Sequence, residues 1–113
     1  MLQTNLVHIE SEEGLKDLIE NNEKVVVCCG RMGPMCIPVY NILEVLQEKY
    51  PDIQFRDMDF DIPAAKAIKN LPECRGFMGL PFTVYYRNGR VVKATTSIQS
   101  AEQIKDIINE VFG

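Results

Sequence analysis

Gly30-Arg31-Met32-Gly33-Pro34-Met35-Cys36-Ile37-Pro38 lies between a very apolar run, Val25 to Cys29, and an amphipathic one, Val39 to Tyr50. Such a change of pattern marks a turn where a buried strand hands over to a helix. In open α/β sheets the crevice at the carboxyl ends of the strands is the usual place for a site. Pro34 suits the first helical position, where a missing N–H costs nothing. Cys36 is then expected in the first turn, where unpaired amides and the positive end of the helix dipole would stabilise a thiolate. That makes Cys36 the most chemically suggestive residue of the chain; the plainer reading is a half-buried cysteine that only packs.

Outward from this turn, Val25 to Cys29 is apolar on both faces, as a central strand covered by helices on both sides must be. The helix after the turn is expected to run to about Tyr50, closed by Pro51-Asp52, with Val39, Ile42, Leu43, Leu46 and Tyr50 as its buried stripe. Upstream, Leu6 to Ile9 reads as a short strand. Ser11 can cap the next helix, with Glu12 and Glu13 in its first turn and Leu15, Leu18 and Ile19 at helical spacing. Downstream, Ile53 to Phe60 reads as a strand, and Asp61 as the cap of a short helix opening at Ile62-Pro63 and broken by Pro72. Glu73 to Gly79 reads as an irregular linker. Phe82 to Arg87 and Arg90 to Thr95 are β-rich and joined by Asn88-Gly89, a hairpin signal. Ser100 with Gln103 makes a capping box for a last helix faced by Ile104, Ile107, Ile108, Val111 and Phe112. The order β-α-β-α-β-α-β-β-α implies an α/β fold, a mixed central sheet with helices on both faces.

A chain of 113 residues suits a single domain spanning 1–113. Its 12 basic and 16 acidic residues give a net charge of −4 with no basic run longer than a dipeptide, which argues against nucleic acid and anionic membranes as partners. The N-terminal stretch lacks a charged region followed by an apolar one, and no apolar run reaches membrane-spanning length, so a soluble protein of the cytoplasm is expected. Four cysteines, Cys28, Cys29, Cys36 and Cys74, are too few and too unevenly spaced for a secreted disulfide framework. In a reducing compartment they point to packing, metal or redox. Zinc is the weakest of these, because there is no C-x-x-C and the only histidine, His8, is far from the cysteines in sequence. His8 reads as an ordinary strand-end residue, and no cofactor is expected.

The element order, the Gly-Pro turn after the second strand and the run Gly79-Leu80-Pro81-Phe82-Thr83-Val84-Tyr85-Tyr86-Arg87-Asn88-Gly89-Arg90 before the last helix resemble thioredoxin, over nearly the whole chain. The resemblance implies a thioredoxin-like fold, a cis Leu80–Pro81 bond lying against the redox motif, and a Leu80 backbone that pairs with a bound substrate strand. The motif itself departs from the family. W-C-G-P-C falls on Arg31-Met32-Gly33-Pro34-Met35, so both redox cysteines are methionine. The family's buried carboxylate falls on Val26. Cys36 follows directly after the second cysteine position, and a longer stretch holding Cys74 precedes Pro81. A thioether cannot become a thiolate, which excludes ordinary C-x-x-C exchange.

Three readings follow. In the first, the preferred one, Cys36 carries an atypical thiol–disulfide exchange with a protein disulfide, and Cys29 or Cys74 is the resolving thiol. Arg31 and Arg75 would flank it, and a nearby positive charge lowers a thiol pKa. In the second, catalysis is lost, and Met32, Gly33, Pro34, Met35, Met78, Gly79, Leu80 and Pro81 form an adaptable apolar surface for an extended segment of a protein partner. In the third, Cys36 with Met32, Met35 or Cys29 holds Cu(I), which favours sulfur ligands.

Overall fold

Having apolar side chains on both of its faces, the run Val25–Cys29 leaves no face for solvent. In the computed structural model, which describes residues 2–113, it becomes the middle strand of a five-stranded sheet. The elements are β1 (Val7–Ile9), α1 (Glu12–Asn21), β2 (Lys24–Gly30), α2 (Ile37–Lys49), β3 (Gln54–Asp59), α3 (Lys66–Lys69), β4 (Phe82–Arg87), β5 (Arg90–Thr96) and α4 (Ala101–Val111), with single 3-10 turns at Pro63–Ala65 and Pro72–Cys74. The sheet order is β1-β3-β2-β4-β5. β3 lies parallel to both β1 and β2, β4 runs antiparallel to β2, and β5 runs antiparallel to β4. The α/β order and mixed sheet are those expected from the sequence.

Alternation along the strands divides the core in two. Val26 and Cys28 of β2, Phe55 of β3 and Tyr85 of β4 pack with α2 and α4 on one face. Val25, Val27 and Cys29, with Met58, Phe82, Val84 and Tyr86, pack on the other face with Leu15 of α1 and Ala65, Ile68 and Cys74. The hairpin turns at Asn88-Gly89 with φ of 54° and 81°, the left-handed pair that a type I′ turn requires. Ser11 accepts from the Gly14 N–H, and Ser100 and Gln103 close a reciprocal capping box.

Two local expectations are overturned. The second helix does not open at Pro34: the N–H groups of Cys36 and Ile37 both bond to the Gly33 carbonyl, at 3.1 and 3.0 Å. A tight turn therefore comes first, α2 starts at Ile37, and Pro38 takes the early position where a proline is tolerated. Asp61 caps nothing; Ile62 precedes the turn at Pro63 without a side-chain bond. The Asp61 carboxylate is instead held by Arg31 through Nε and Nη2, both at 2.8 Å.

The capping box predicts the stability of α4. Ser100→Ala removes one of its two bonds and should lower unfolding free energy by about 1 kcal/mol, read from urea denaturation, whereas Ser100→Asp should hold near the parent value.

Candidate functional site

β2 ends at Gly30, and three groups converge on the space where a side chain there would lie. A Cβ placed on Gly30 would sit 2.8 Å from Cys36 Sγ, 2.8 Å from Tyr40 Oη and 3.0 Å from Pro81 Cβ. Glycine is thus required by close approach, and the same distances set the Cys36 thiol against Pro81. The next residue is gripped from α2: Arg31 N–H points at Cys36 Sγ at 3.5 Å, and Tyr40 Oη donates to the Arg31 carbonyl at 3.1 Å. The Leu80–Pro81 peptide bond is cis. Gly79 just before it is anchored to the end of β5, its carbonyl accepting from Ser97 N–H at 3.2 Å and from the Thr96 hydroxyl. Among the described residues, no hydrogen bond takes up the N–H or C=O of Leu80.

The turn carries its methionines outward. Met32 is 40% exposed, Met35 43% and Met78, across the cleft beside Pro81, 94%. Gly33 and Pro34 form the tip between them, with open space beside Gly33. On the flank, Arg31 lies 5.2 Å and the Lys69 ammonium 4.0 Å from the centroid of the Phe60 ring. The Arg31 guanidinium holds the Asp61 carboxyl below the usual carboxylate range, so this arginine is engaged and not turned to a thiol.

All four cysteines are free and buried. Cys36 is 2% exposed and shares its side of the sheet with Cys28, whose sulfur lies 3.8 Å from Thr83 Oγ1. Cys29 and Cys74 belong to the opposite core. The pairing of Cys36 with Cys29 or Cys74 is therefore corrected by strand alternation: the sheet itself stands between them. Burial raises the Cys28 thiol well above its ordinary value, pushes Cys29 up to about 12 and Cys74 to about 11. The amide of Cys36 is also spent on the Gly33 carbonyl rather than open at a helix start. Among the described residues no group of three or more His, Cys, Asp or Glu side chains is arranged to hold a metal ion.

The sequence reading missed a buried carboxylate and its imidazole partner. Asp57 is fully buried, directly across from Cys28 in the β2–β3 register. Its oxygens accept from Thr4 Oγ1 and His8 Nδ1, each at 2.5 Å. Burial raises its pKa, and the two hydrogen bonds oppose that shift. His8 is thus no idle strand end. The available signal was parity: Asp57 is two residues from Phe55 and shares its inward face.

The sheet order, the cis proline before β4 that lies against the end of β2, and the clefted turn decide the fold when set beside solved structures. Thioredoxin of Plasmodium falciparum superposes with a TM-score of 0.77 at 20% identity, covering 94% of this chain and 99% of that one. The chain has a thioredoxin fold. Mitochondrial thioredoxin 3 of Saccharomyces cerevisiae, in its oxidized form, gives 0.76 at 21% identity over 94% and 95% of the two chains, and thioredoxin O2 of Arabidopsis thaliana gives 0.76 at 15% over 99% and 98%. No family model matches the chain, and no curated protein matches its sequence. The thioredoxin fold is kept here with methionines at the motif and its thiols buried, and no helix among the described residues is long and apolar enough to cross a membrane.

Two outcomes follow from this geometry. Gly30→Ala must displace Cys36, Tyr40 or Pro81 and should destabilise by about 1–3 kcal/mol, while Gly33→Ala, with nothing within 4 Å of its added carbon, should be close to neutral; equal losses in chemical denaturation would refute the crowding at Gly30. Second, Cys29 and Cys74 have folded-state pKa values raised from 9.0 to about 12 and about 11. Raised values mean that their contribution is fully present below pH 9.0 and is lost as pH rises toward 11–12. Tyr40, Tyr85 and Tyr86 shift in the same direction. Unfolding free energy should accordingly be level from neutral pH to about 9 and then fall, with Cys74→Ala showing the shallower fall; a flat profile would contradict the burial of these thiols.

Proposed function

We propose that this chain, a single thioredoxin-like domain over 1–113, is a binding module that holds an extended segment of a protein partner in the groove beside Leu80-Pro81, without dithiol exchange of its own. One observation carries the reading: the one thiol among the described residues that lies at the groove, Cys36, is 2% exposed, while the rim around it is exposed methionine. Methionine is flexible and polarizable, and it adapts to varied apolar partners. The unused N–H and C=O of Leu80 supply the main-chain pairing by which an added strand gains affinity without sequence specificity. The acidic balance of the chain favours protein over nucleic acid as the partner. Free thiols suit a reducing compartment such as the cytoplasm.

A second reading, single-thiol exchange, is favoured by the placement of Cys36 against Pro81 and the Arg31 N–H directed at its sulfur. In it the Cys36 thiolate attacks a partner disulfide, forming a mixed disulfide as the other partner sulfur leaves as a thiol; a low-molecular-weight thiol then attacks the mixed disulfide at the partner sulfur, forming a disulfide with it and returning the Cys36 thiol. Cys29 and Cys74 take no part, since they lie in the other core.

One experiment separates the two. A short Val-Thr repeat peptide, with and without an activated disulfide, is added to isotope-labelled protein. The binding reading expects shifts at the Gly79 and Leu80 amides and the Met32, Met35 and Met78 methyls, weakened by Met78→Asp, with no covalent adduct until denaturant is added. Absence of shifts at Gly79 and Leu80 would overturn it. Rapid formation of a Cys36 mixed disulfide in the folded protein, lost in Cys36→Ser, would establish exchange instead.

A further inference from the structure

The sulfur atoms of this protein are sorted by exposure. All four cysteines are free and buried, and burial raises the thiols of Cys28, Cys29 and Cys74. The thiolate is the form that an oxidant attacks, so each of these is a poor target in the folded chain. Cys36, the thiol at the groove, is sealed as well. The thioethers are placed the other way. Of the four described methionines only Met58 is buried, opposite Cys29 in the β2–β3 register. Met32, Met35 and Met78 are exposed, and all three stand at the groove. With no tryptophan in the chain, they are the readily oxidised side chains that solvent reaches among the described residues.

A thioether is oxidised without first losing a proton, so its reaction depends on access alone. A peroxide gives one oxygen atom to the sulfur: the O–O bond breaks, an S–O bond forms, the sulfur loses two electrons, and the peroxide is reduced to water or, for an organic hydroperoxide, to the alcohol. The product, methionine sulfoxide, is polar where the thioether was apolar. Sulfoxide reductases reverse the step, with two thiols oxidised to a disulfide and the oxygen leaving as water. The three sulfurs of the rim are not equivalent. Met78 is 94% exposed, whereas Met32 is less than half as exposed and its Sδ already accepts the Gln3 N–H at 3.4 Å, which occupies a lone pair. Met78 is therefore the first sulfur that a peroxide meets, and Met32 the last of the three.

We propose that the methionine rim is a reversible oxidation site, at which a peroxide converts Met78, Met35 and Met32 to sulfoxides and so releases the partner segment from the groove. The inference rests on the groove reading above. A segment lying along Leu80-Pro81 covers the rim. Each sulfoxide oxygen beneath it must give up water on binding, at a cost that a thioether does not carry. Oxidation thus acts on the contacts of the groove and spares the fold, because Met58, the methionine whose oxidation would disrupt a core, is sealed. The site responds to an oxidant with no thiolate taking part.

Hydrogen peroxide on the intact chain tests this, with tandem mass spectrometry locating the oxygen at each methionine and thiol titration in denaturant counting the cysteines. Met78 should be consumed first and Met32 last of the rim, while Met58 and all four thiols survive. A Val-Thr repeat peptide, read at the Gly79 and Leu80 amides, should then bind the rim-oxidised chain about tenfold more weakly than the untreated one. Methionine sulfoxide reductases of both stereospecificities, with dithiothreitol, should restore the affinity. In the triple variant Met32→Leu, Met35→Leu, Met78→Leu, the ratio of affinities with and without peroxide should be near one, whatever the affinity itself, and Met78→Leu alone should remove part of the peroxide effect. Loss of thiols or of Met58 before the rim methionines overturns the inference. So does an affinity that peroxide leaves unchanged, or one that the triple variant loses in equal measure; shifts at Gly79 and Leu80 then leave the groove reading standing. If the untreated chain shows no shift at either amide, the groove reading fails and the release of a segment from it fails too.

Discussion

The missing side chain at Gly30 is the constraint on which the cleft depends. Because nothing projects there, the last residue of the central strand can lie under the thiol of Cys36, the hydroxyl of Tyr40 and the ring of Pro81 at once. The contacts run in several directions. Tyr40 and Cys36 bring the first turns of α2 onto the Arg31 backbone, the Gly30 carbonyl accepts from Phe60 N–H at 2.8 Å, and Pro81 brings in the segment leading to β4. Elements distant in sequence are locked to one point, and the exposed turn from Met32 to Met35 is held out from it.

The sheet then decides what the sulfurs can do. Side chains of adjacent strand residues point to opposite faces, so Cys28 and Cys29 enter different cores, and Cys36 can meet the first but not the second. Desolvation disfavours the charged form of each buried thiol and holds Cys28, Cys29 and Cys74 away from the thiolate state. A separate polar cluster lies within the sheet, in Thr4, Asp57 and His8. A buried carboxylate is tolerable there because two hydrogen bonds from the N-terminal segment and β1 satisfy it. Main-chain N–H groups of the same segment reach Met32 Sδ at 3.4 Å and Glu44 at 2.6 Å, so residues 3–5 strap the carboxylate, the turn and α2 together.

The architecture was legible where local rules and the burial pattern agree. The doubly apolar β2, the Asn88-Gly89 turn, the Ser11 cap and the Ser100 capping box all stand in the structure as the residues imply. Reading failed where a side chain had two uses. Asp61 has the chemistry of a cap and of an ion-pair partner, and Arg31, thirty positions away, won it. Pro34 suits a helix start, but the Gly33 carbonyl offered Cys36 and Ile37 a tighter turn.

Periodicity, caps and turn residues act over a few positions, so the sequence by itself determined the element order, the mixed sheet and the absence of a C-x-x-C, with Met32 and Met35 on either side of Gly33-Pro34. Which thiols share a core, that Asp57 is buried with His8 as its partner, and that Met58 is sealed while Met32, Met35 and Met78 are exposed were decided only by tertiary structure. These depend on parity across strands brought together from residues dozens of positions apart. A one-residue difference in parity moves a side chain to the other side of the sheet, and only the assembled register says which side faces which helix.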